Sequence, residues 1–243
     1  MKRTSFLTLI MLLFVALAAN ANNSIYFYGG DLDLNDPNQN GLANENDAVV
    51  PTSVLSPSYG AATFQNFIVG GAGIKDTGMF TNNLSDLHPT SAYWEICPSI
   101  PCPATSISGT VSGANFSWTP TGRSDFGYEE YRAMATLTAI LTPGQWWFAV
   151  VPQDPTTFGR SFNSNTDGLN AIGTDVDNQQ YFNSVFFGAN YDNANLWGVF
   201  PRFSSGVYDD PLYGGSAPEP SSLVLLGSGL AGIAGVVRSK MNR

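Results

Sequence analysis

The stretch that decides the fold class is 135-ATLTAILTPGQWWFAVV-151, in which a Thr-Pro-Gly separator divides two apolar segments. In the first segment, Leu137, Ala139 and Leu141 fall on one face of an extended chain and the residues between them fall on the other. The second segment, QWWFAVV, is a short apolar run that begins directly after turn residues. Both patterns are typical of β-strands, and the stretch predicts two of them.

Similar short apolar runs recur along the chain, separated by clusters of Gly, Pro and Asn. They include AATFQNFIVG, GIKDTGMFTN, SAYWEI, TSISGTVSG, NFSWTPT, YFNSVFFGA and LWGVFP. Helical periodicity is nearly absent, so we expect about eight to ten strands without crossover helices. The prediction is an all-β chain with a single antiparallel β-sandwich of jelly-roll or Greek-key type. The segment GGDLDLNDPNQNGLANENDAVV is expected to form an irregular strap ahead of the first core strands.

The first 21 residues have the three parts of a secretory signal peptide. Lys2 and Arg3 form a basic start, residues 6–18 form an apolar run, and Ala-Asn-Ala at 19–21 provides small residues for cleavage before Asn22. Cleavage after Ala18 or Ala19 and an uncleaved membrane anchor are the alternatives. The apolar run is short for a span of about 20 residues, which favours the signal peptide.

The other end of the chain also has an apolar segment followed by basic residues. Residues 221–237 contain no charge and would reach about 25 Å as a helix, near the lower limit for crossing a bilayer. Arg238, Lys240 and Arg243 follow, and basic residues favour the cytoplasmic side of a membrane. These features predict a transmembrane helix at 221–237 with a basic end at 238–243.

Pro218, Glu219 and Pro220 stand just before this helix. The order of Pro-Glu-Pro, a Gly-rich apolar helix and a basic end resembles the PEP-CTERM sorting signal of exported bacterial proteins, here over 216–243. The resemblance implies recognition by an exosortase, a membrane peptidase or transpeptidase that processes the tail near Pro-Glu-Pro. It also implies an outer-membrane bacterium that makes extracellular polysaccharide. Ser239 and Met241 interrupt a basic cluster that is usually tighter.

Residues 22–215 remain as one ectodomain, long enough for a sizeable core. Between residues 22 and 217 lie 18 acidic and five basic residues, so this part of the chain is strongly acidic. An acidic surface repels nucleic acid and anionic membranes, and no nucleic-acid partner is expected.

The sequence offers little support for an enzyme. His88 is the one histidine, which excludes a zinc hydrolase built on two or three histidines, and no nucleophile-elbow motif surrounds Ser85 or Asp86. Paired carboxylates could still serve a glycoside hydrolase. The candidates are Glu45, Glu95, Glu129, Glu130 and several aspartates. We expect no catalytic residues, with a secreted glycoside hydrolase as an alternative.

Cys97 and Cys102 enclose Pro-Ser-Ile-Pro. In an exported chain, two cysteines usually form a disulfide, and this pair is expected to close a hairpin-tip loop. A redox-active pair is the alternative, although the spacing is not Cys-x-x-Cys.

Two segments have the composition of a calcium site, because Asp and Asn on irregular loops supply the oxygen ligands that Ca²⁺ needs. The first candidate set is Asp31, Asp33, Asn35, Asp36, Glu45 and Asp47. The second is Asp167, Asp175, Asp177 and Asn178. Neither set follows the EF-hand pattern, and solvated turns are the alternative interpretation.

A second resemblance concerns the middle of the chain. NNLSDLHPTSAYWEI followed by LTPGQWWFAVVPQDP is similar to ectodomains that recur among uncharacterised PEP-CTERM proteins with a presumed β-sandwich. The resemblance suggests that Trp147 points inward, which leaves Trp146 on the outer face. An exposed Trp146 would be the candidate platform for stacking a sugar ring.

The combined interpretation is an exported, non-enzymatic protein of the cell surface or extracellular matrix, with a structural or adhesive role in exopolysaccharide. Its partners would be the Sec translocon, signal peptidase and exosortase, with transient insertion in the inner membrane. A carbohydrate-binding module supported by calcium is the alternative. An exposed aromatic strip would favour that alternative.

Overall fold

The backbone of this computed structural model is extended through most of the residues it describes, which are 24–34, 41–45, 60–71, 73–74, 77–154, 159–184, 186–198 and 202–209. The strands in these residues are β1 Ser24–Tyr28, β2 Gly41–Ala43, β3 Ala61–Val69, β4 Gly78–Ser85, β5 Ser91–Cys97, β6 Ile107–Ser112, β7 Phe116–Asp125, β8 Tyr128–Thr136, β9 Gly144–Gln153, β10 Ser161–Thr166, β11 Tyr181–Ser184, β12 Ala189–Asn193, β13 Arg202–Phe203 and β14 Ser205–Asp209. Two short 3-10 helices lie at Gly113–Asn115 and Ala194–Trp197, and no α-helix occurs in the described residues. The all-β prediction is confirmed, with more strands than expected.

The strands form two antiparallel sheets. In the first sheet, β4 is central: β8 pairs along its whole length, and β14 and β10 share its other side. Strand β7 pairs with β8, β1 lies beside β14, and both β2 and β13 pair with β10. The second sheet has the order β12-β11-β3-β9-β5-β6. The described residues other than Ser24 fall in one compact unit, Ile25–Leu212.

Side chains from both sheets meet in a common apolar core. Phe67 and Phe148 of the second sheet pack with Met79, Ala133 and Val207 of the first, and all five are fully buried. The rings of Phe67 and Phe148 meet edge to face, with centroids 5.5 Å apart. Burying each large apolar side chain contributes about 1.5–3 kcal/mol, so this shared core holds the two sheets together. The jelly-roll or Greek-key topology stays a prediction.

Part of the interior is polar. Asn44 is fully buried, and its amide donates to Asn83 Oδ1 at 2.9 Å and to the carbonyl of Val150 at 2.8 Å. The buried amide of Asn163 donates to Thr63 Oγ1 at 2.7 Å. Buried polar groups need such partners, and each bond requires one alignment of the strands. This layer therefore helps to set the register between β3, β4 and β10.

The segment after β8 is buried as predicted but is not a strand. Leu137, Ala139 and Leu141 are buried, whereas Ile140 is 67% exposed, so the predicted faces are right. The strand nevertheless ends at Thr136, because the chain then crosses from the first sheet to β9 in the second. Its hydrogen bonds are intermittent: the amide of Leu137 donates to a carbonyl of the neighbouring loop at 3.0 Å.

The prediction of an irregular strap before the first core strands is wrong in part. Strand β1 precedes that segment, and β2 lies within it and pairs with β10. The signal peptide at 1–21 and the sorting region at 216–243 lie outside the described residues, as do the limits predicted for the ectodomain at 22–215. Among the residues that are described, no helix has the length and apolar character to cross a membrane.

Candidate functional site

The hairpin of β7 and β8 turns through only two residues, Phe126 and Gly127. Both have positive φ, +33° and +92°. Two-residue turns of this kind match the twist of a hairpin, and glycine or asparagine normally occupies them. Phenylalanine is unusual there, since a bulky side chain is strained at positive φ. The amide of Phe126 donates to Asp125 Oδ1 at 2.8 Å, and its side chain is 38% exposed.

A cavity of about 510 Å³ lies beside this turn, and we call it the hairpin cavity. Its lining residues are Ser85, Asp86, Phe126, Gly127, Tyr128, Glu129 and Tyr131. The strands β4 and β8 remain paired as far as Ser85 and Glu129, at the end of β4. Because side chains alternate along a strand, Glu129 and Tyr131 share one face of β8. The pairing therefore places both of them on one wall of the cavity.

Tyr131 is held in place at two points. Its ring stacks on Trp118, with centroids 5.1 Å apart and planes inclined by 5°. Its hydroxyl donates to Glu129 Oε2 at 2.7 Å. This bond raises the pKa of Tyr131, since the neighbouring carboxylate favours the neutral phenol. Trp118 in turn packs against the apolar core, so the stacked pair is anchored in the body of the sheet.

A second group of rings lies on the other side of the turn. Phe126, Tyr128 and Phe162 contact one another edge to face, with centroids 5.6 to 5.7 Å apart. The guanidinium of Arg160 lies 5.0 Å from the Phe162 ring centroid. Phe126 and Tyr128 also line the hairpin cavity, which is therefore bounded by aromatic residues from two separate clusters.

The two carboxylates of the hairpin cavity lie at the surface. Asp86 and Glu129 are both exposed. Asp86 Oδ1 accepts the amide of Arg160 at 2.6 Å, and Glu129 accepts the Tyr131 hydroxyl. Raised pKa values of catalytic acids arise from burial or from a close like charge, and exposure opposes the first of these. Exposed carboxylates are, however, good acceptors for hydroxyl groups of a ligand.

Trp118, Tyr128 and Tyr131 are not among the site residues that the sequence predicts. A usable signal was present in 124-SDFGYEEY-131, where Asp-Phe-Gly-Tyr marks a tight turn between runs of aromatic and acidic residues. Ser85, Asp86 and His88 were noted as a poor catalytic set, and the structure gives other roles to two of them. The Ser85 hydroxyl donates to the carbonyl of Arg160 at 2.8 Å, and the His88 amide donates to Asp154 at 3.0 Å.

The expected orientation of the two adjacent tryptophans is reversed. Trp147 is buried, but on the face of the second sheet that points away from the first. Trp146 lies on the opposite face, with Phe148, and packs partly against the core between the sheets. The disulfide loop covers Trp147, as Ile100 and Cys102 pack on its cluster. Both faces of β9 are therefore apolar, and the sequence pattern alone could not distinguish them.

The cysteines lie where β5 leads into the loop before β6. Cys97 and Cys102 form a disulfide, with Cα atoms 5.2 Å apart. Glu95 stands two residues earlier on β5, and its carboxylate accepts the hydroxyl of Tyr93 at 3.3 Å. Burial raises the pKa of Glu95. In the described residues, Glu95 and the two cysteines form the one group close enough to hold a metal, and the disulfide occupies both sulfur atoms.

The first calcium candidate set is divided between two ion pairs in the described residues. Asp31 bonds to Arg123 and accepts the amide of Asn170 at 2.7 Å. Glu45 pairs with Arg160 at 3.0 Å. A calcium ion bound by either carboxylate would compete with the arginine that pairs with it. The backbone of Asp33 bonds to β10, and the remaining candidates, Asn35, Asp36 and Asp47, lie outside the described residues.

Two residues of the second calcium candidate set also form ion pairs with an arginine. Arg202 pairs with Asp175 at 2.8 Å and with Asp177 at 3.1 Å, beside a cavity of about 490 Å³. Burial raises the pKa of Asp175. Asp167 caps the following turn by accepting the amide of Leu169 at 3.0 Å. These contacts support a structural role for the second set.

Residues 216–239 match the family model of the PEP-CTERM protein-sorting motif. The chain carries a PEP-CTERM sorting signal. The motif implies an exported protein that an exosortase recognises, with placement at the cell surface or outside the cell. Pro218, Glu219, Pro220, Arg238 and the rest of the signal lie outside the described residues. No curated protein sequence matches the chain.

Proposed function

We propose that this PEP-CTERM protein is a non-enzymatic component of the cell surface or extracellular matrix, where it adheres to exopolysaccharide. The sorting motif at 216–239 carries the proposal, because it implies placement at the cell surface or outside the cell, where an exopolysaccharide would be within reach. The delivery route would use the Sec translocon and signal peptidase before the exosortase. The C-terminal helix would sit in the inner membrane only during transit.

The ectodomain supports an adhesive role over a catalytic one. The carboxylates of the hairpin cavity, Asp86 and Glu129, are exposed, which is unfavourable for the general acid that a glycoside hydrolase needs. The aromatic residues around them favour the second candidate function, a carbohydrate-binding module. Calcium support for such a module is less favoured, since Asp31 and Glu45 already face arginines.

Processing of the tail tests the delivery part of this proposal. In the host, mass spectrometry of the surface fraction is expected to show a C-terminus near Pro218, Glu219 and Pro220. Replacing these three residues by alanine is expected to hold the protein in the membrane fraction. Recovery of chains from the surface fraction that still end at Arg243 would contradict exosortase processing.

The matrix part of the proposal needs a separate experiment. In wild-type cells the protein should sediment with the matrix, and in a strain that lacks exopolysaccharide it should appear in the medium. The reason is that adhesion requires the polysaccharide, whereas export and tail processing do not. An unchanged distribution between the two strains would show that the protein is held by something else.

A further inference from the structure

We propose that the hairpin cavity binds a chain of neutral pyranose sugars, with Tyr131 as the stacking platform and Glu129 and Asp86 as acceptors for sugar hydroxyls. The inference deepens the proposed function, on which it rests, by naming the site and the ligand class. It places the sugar contact on the first sheet, away from Trp146.

The platform is preorganised. Trp118 covers one face of Tyr131 at a centroid distance of 5.1 Å, and Glu129 holds the hydroxyl at 2.7 Å. The Tyr131 side chain therefore has little conformational freedom to lose when a ligand binds. Tyr131 also lines the hairpin cavity and is half-buried, so part of its side chain is open to a ligand. The negative face of an aromatic ring attracts the C–H groups that a pyranose presents on its flat sides.

The size of the hairpin cavity fits a small polar ligand. Its volume of about 510 Å³ lies within the range of about 300–1,000 Å³ that is usual for small-molecule sites. The lining combines three aromatic rings with two carboxylates and the hydroxyl-bearing Ser85. Aromatic surface for the C–H faces and acceptors for the hydroxyls are the two features that a sugar ring requires. A purely apolar ligand would make no use of the carboxylate oxygens, whereas sugar hydroxyls can donate to them.

The charge of the hairpin cavity selects among sugars. Its described lining contains Asp86 and Glu129 and neither lysine nor arginine. The chain as a whole has a net charge of −9. Polymers of uronic acids would bring further negative charge to this surface and be repelled. Neutral pyranoses avoid that repulsion and can still donate hydrogen bonds to both carboxylates.

The turn itself gives an independent indication. Phe126 has a φ of +33°, which asparagine or glycine would adopt with less strain. The phenylalanine places a ring against Tyr128 at 5.6 Å and on the rim of the hairpin cavity. A strained residue that persists in a surface turn is a reason to look for a function at that position. Here it supplies aromatic surface where a bound sugar chain would leave the cavity.

Affinity electrophoresis of the mature protein, purified from the host's surface fraction, tests the inference. The probes are hydroxyethyl cellulose, xyloglucan and galactomannan as neutral pyranose polymers, with alginate as the polyuronate. We expect at least one neutral polymer to retard the protein and alginate not to do so. Retardation by alginate alone, or by none of the polymers, would overturn the inference.

Variants locate the binding. Tyr131→Ala is expected to weaken retardation about tenfold, which corresponds to the loss of about 1.4 kcal/mol. Tyr131→Phe keeps the ring and should retain most of the binding, and Glu129→Gln should weaken it severalfold. Trp146→Ala is the matched control, since it removes an aromatic residue from the second sheet. The assignment of the site to the hairpin cavity would be refuted if Tyr131→Ala bound as well as the wild type. It would also be refuted if Trp146→Ala alone lost binding.

The variants also separate this inference from the proposed function. Thermal melting of Tyr131→Phe and Glu129→Gln checks that both variants fold, so that a loss of binding in Glu129→Gln is attributable to the site. If the wild-type protein sediments with the matrix but binds no neutral polymer, the matrix role stands and the hairpin site falls. If it binds a neutral polymer but is released from cells regardless of exopolysaccharide, the site stands and the matrix role falls.

Discussion

Arg123 joins two acidic residues from distant parts of the chain, and its replacement by methionine should destabilise the fold strongly. Its Nε lies 2.6 Å from Glu130 Oε2, and its Nη1 pairs with Asp31. The Glu130 side chain is 0% exposed, and Thr121 donates a further hydrogen bond to it at 2.6 Å. Arg123→Met preserves the length and apolar stem of the side chain but leaves the Glu130 carboxylate buried without a cation.

The magnitude follows from the distance and the burial. Two unit charges 2.6 Å apart attract by roughly 6 kcal/mol at an effective dielectric constant of 20, before the cost of removing them from water. Breaking a buried pair by removing one partner typically costs about 3–5 kcal/mol, because the other charge stays buried. In a domain of this size, each kcal/mol shifts the melting temperature by about 2–4 °C. We therefore expect Arg123→Met to melt about 6–20 °C below the wild type.

Urea and thermal unfolding of the mature protein measure the effect. Arg160→Met is the comparison variant: Arg160 also pairs with a carboxylate, but its side chain is 44% exposed and Glu45 keeps the hydrogen bond from the Ser161 amide at 2.8 Å, so the loss should be clearly smaller than that of Arg123→Met. The double variant Arg123→Met/Glu130→Met should recover much of the lost stability, since it removes both charges. A loss of less than about 1 kcal/mol in Arg123→Met, or one equal to that of Arg160→Met, would refute the reasoning.

Two further measurements concern acid stability and the disulfide. Burial acts to raise the pKa of Asp31, but hydrogen bonds from Asn170, Tyr28 and Arg123 outweigh it and hold the pKa below 3.8. The resulting stabilisation is present above pH 3.8 and is lost as the pH falls below it. The free energy of unfolding of Asp31→Asn should therefore differ most from that of the wild type at pH 7 and least at pH 2. Urea titrations at pH 7, 4 and 2 measure this difference, and a constant value would contradict the expectation. Reducing the disulfide between Cys97 and Cys102 should lower the free energy of unfolding by about 2 kcal/mol or less, because the closed loop is short. A thiol assay on the denatured, non-reduced protein should find no reactive thiol, and two would exclude the bridge.

Local sequence patterns were sufficient for the features that depend on neighbouring residues. The PEP-CTERM signal is contiguous, and its tripartite order was recognisable without any structure. The all-β class followed from apolar runs between turn residues. The alternation of Leu137, Ala139 and Leu141 predicted their burial correctly, because the side-chain period of an extended chain is local. The same alternation did not show that this segment is a connection between the two sheets and not a strand.

The candidate site depended on tertiary structure. Trp118 and Tyr131 lie on the two strands of one hairpin and become diagonal neighbours only because Trp118 is opposite Ala133 in the β7–β8 register. The burial of Trp147 on the face away from the first sheet likewise depends on the disulfide loop, whose Ile100 and Cys102 pack on its cluster. Composition marked Asp31 as a candidate calcium ligand, and it could not show that Arg123, from a distant strand, pairs with it. Composition and periodicity determine which residues prefer burial or water, whereas the pairing of strands determines which of them meet. That pairing is a property of the whole chain, since each contact requires many others to form at once.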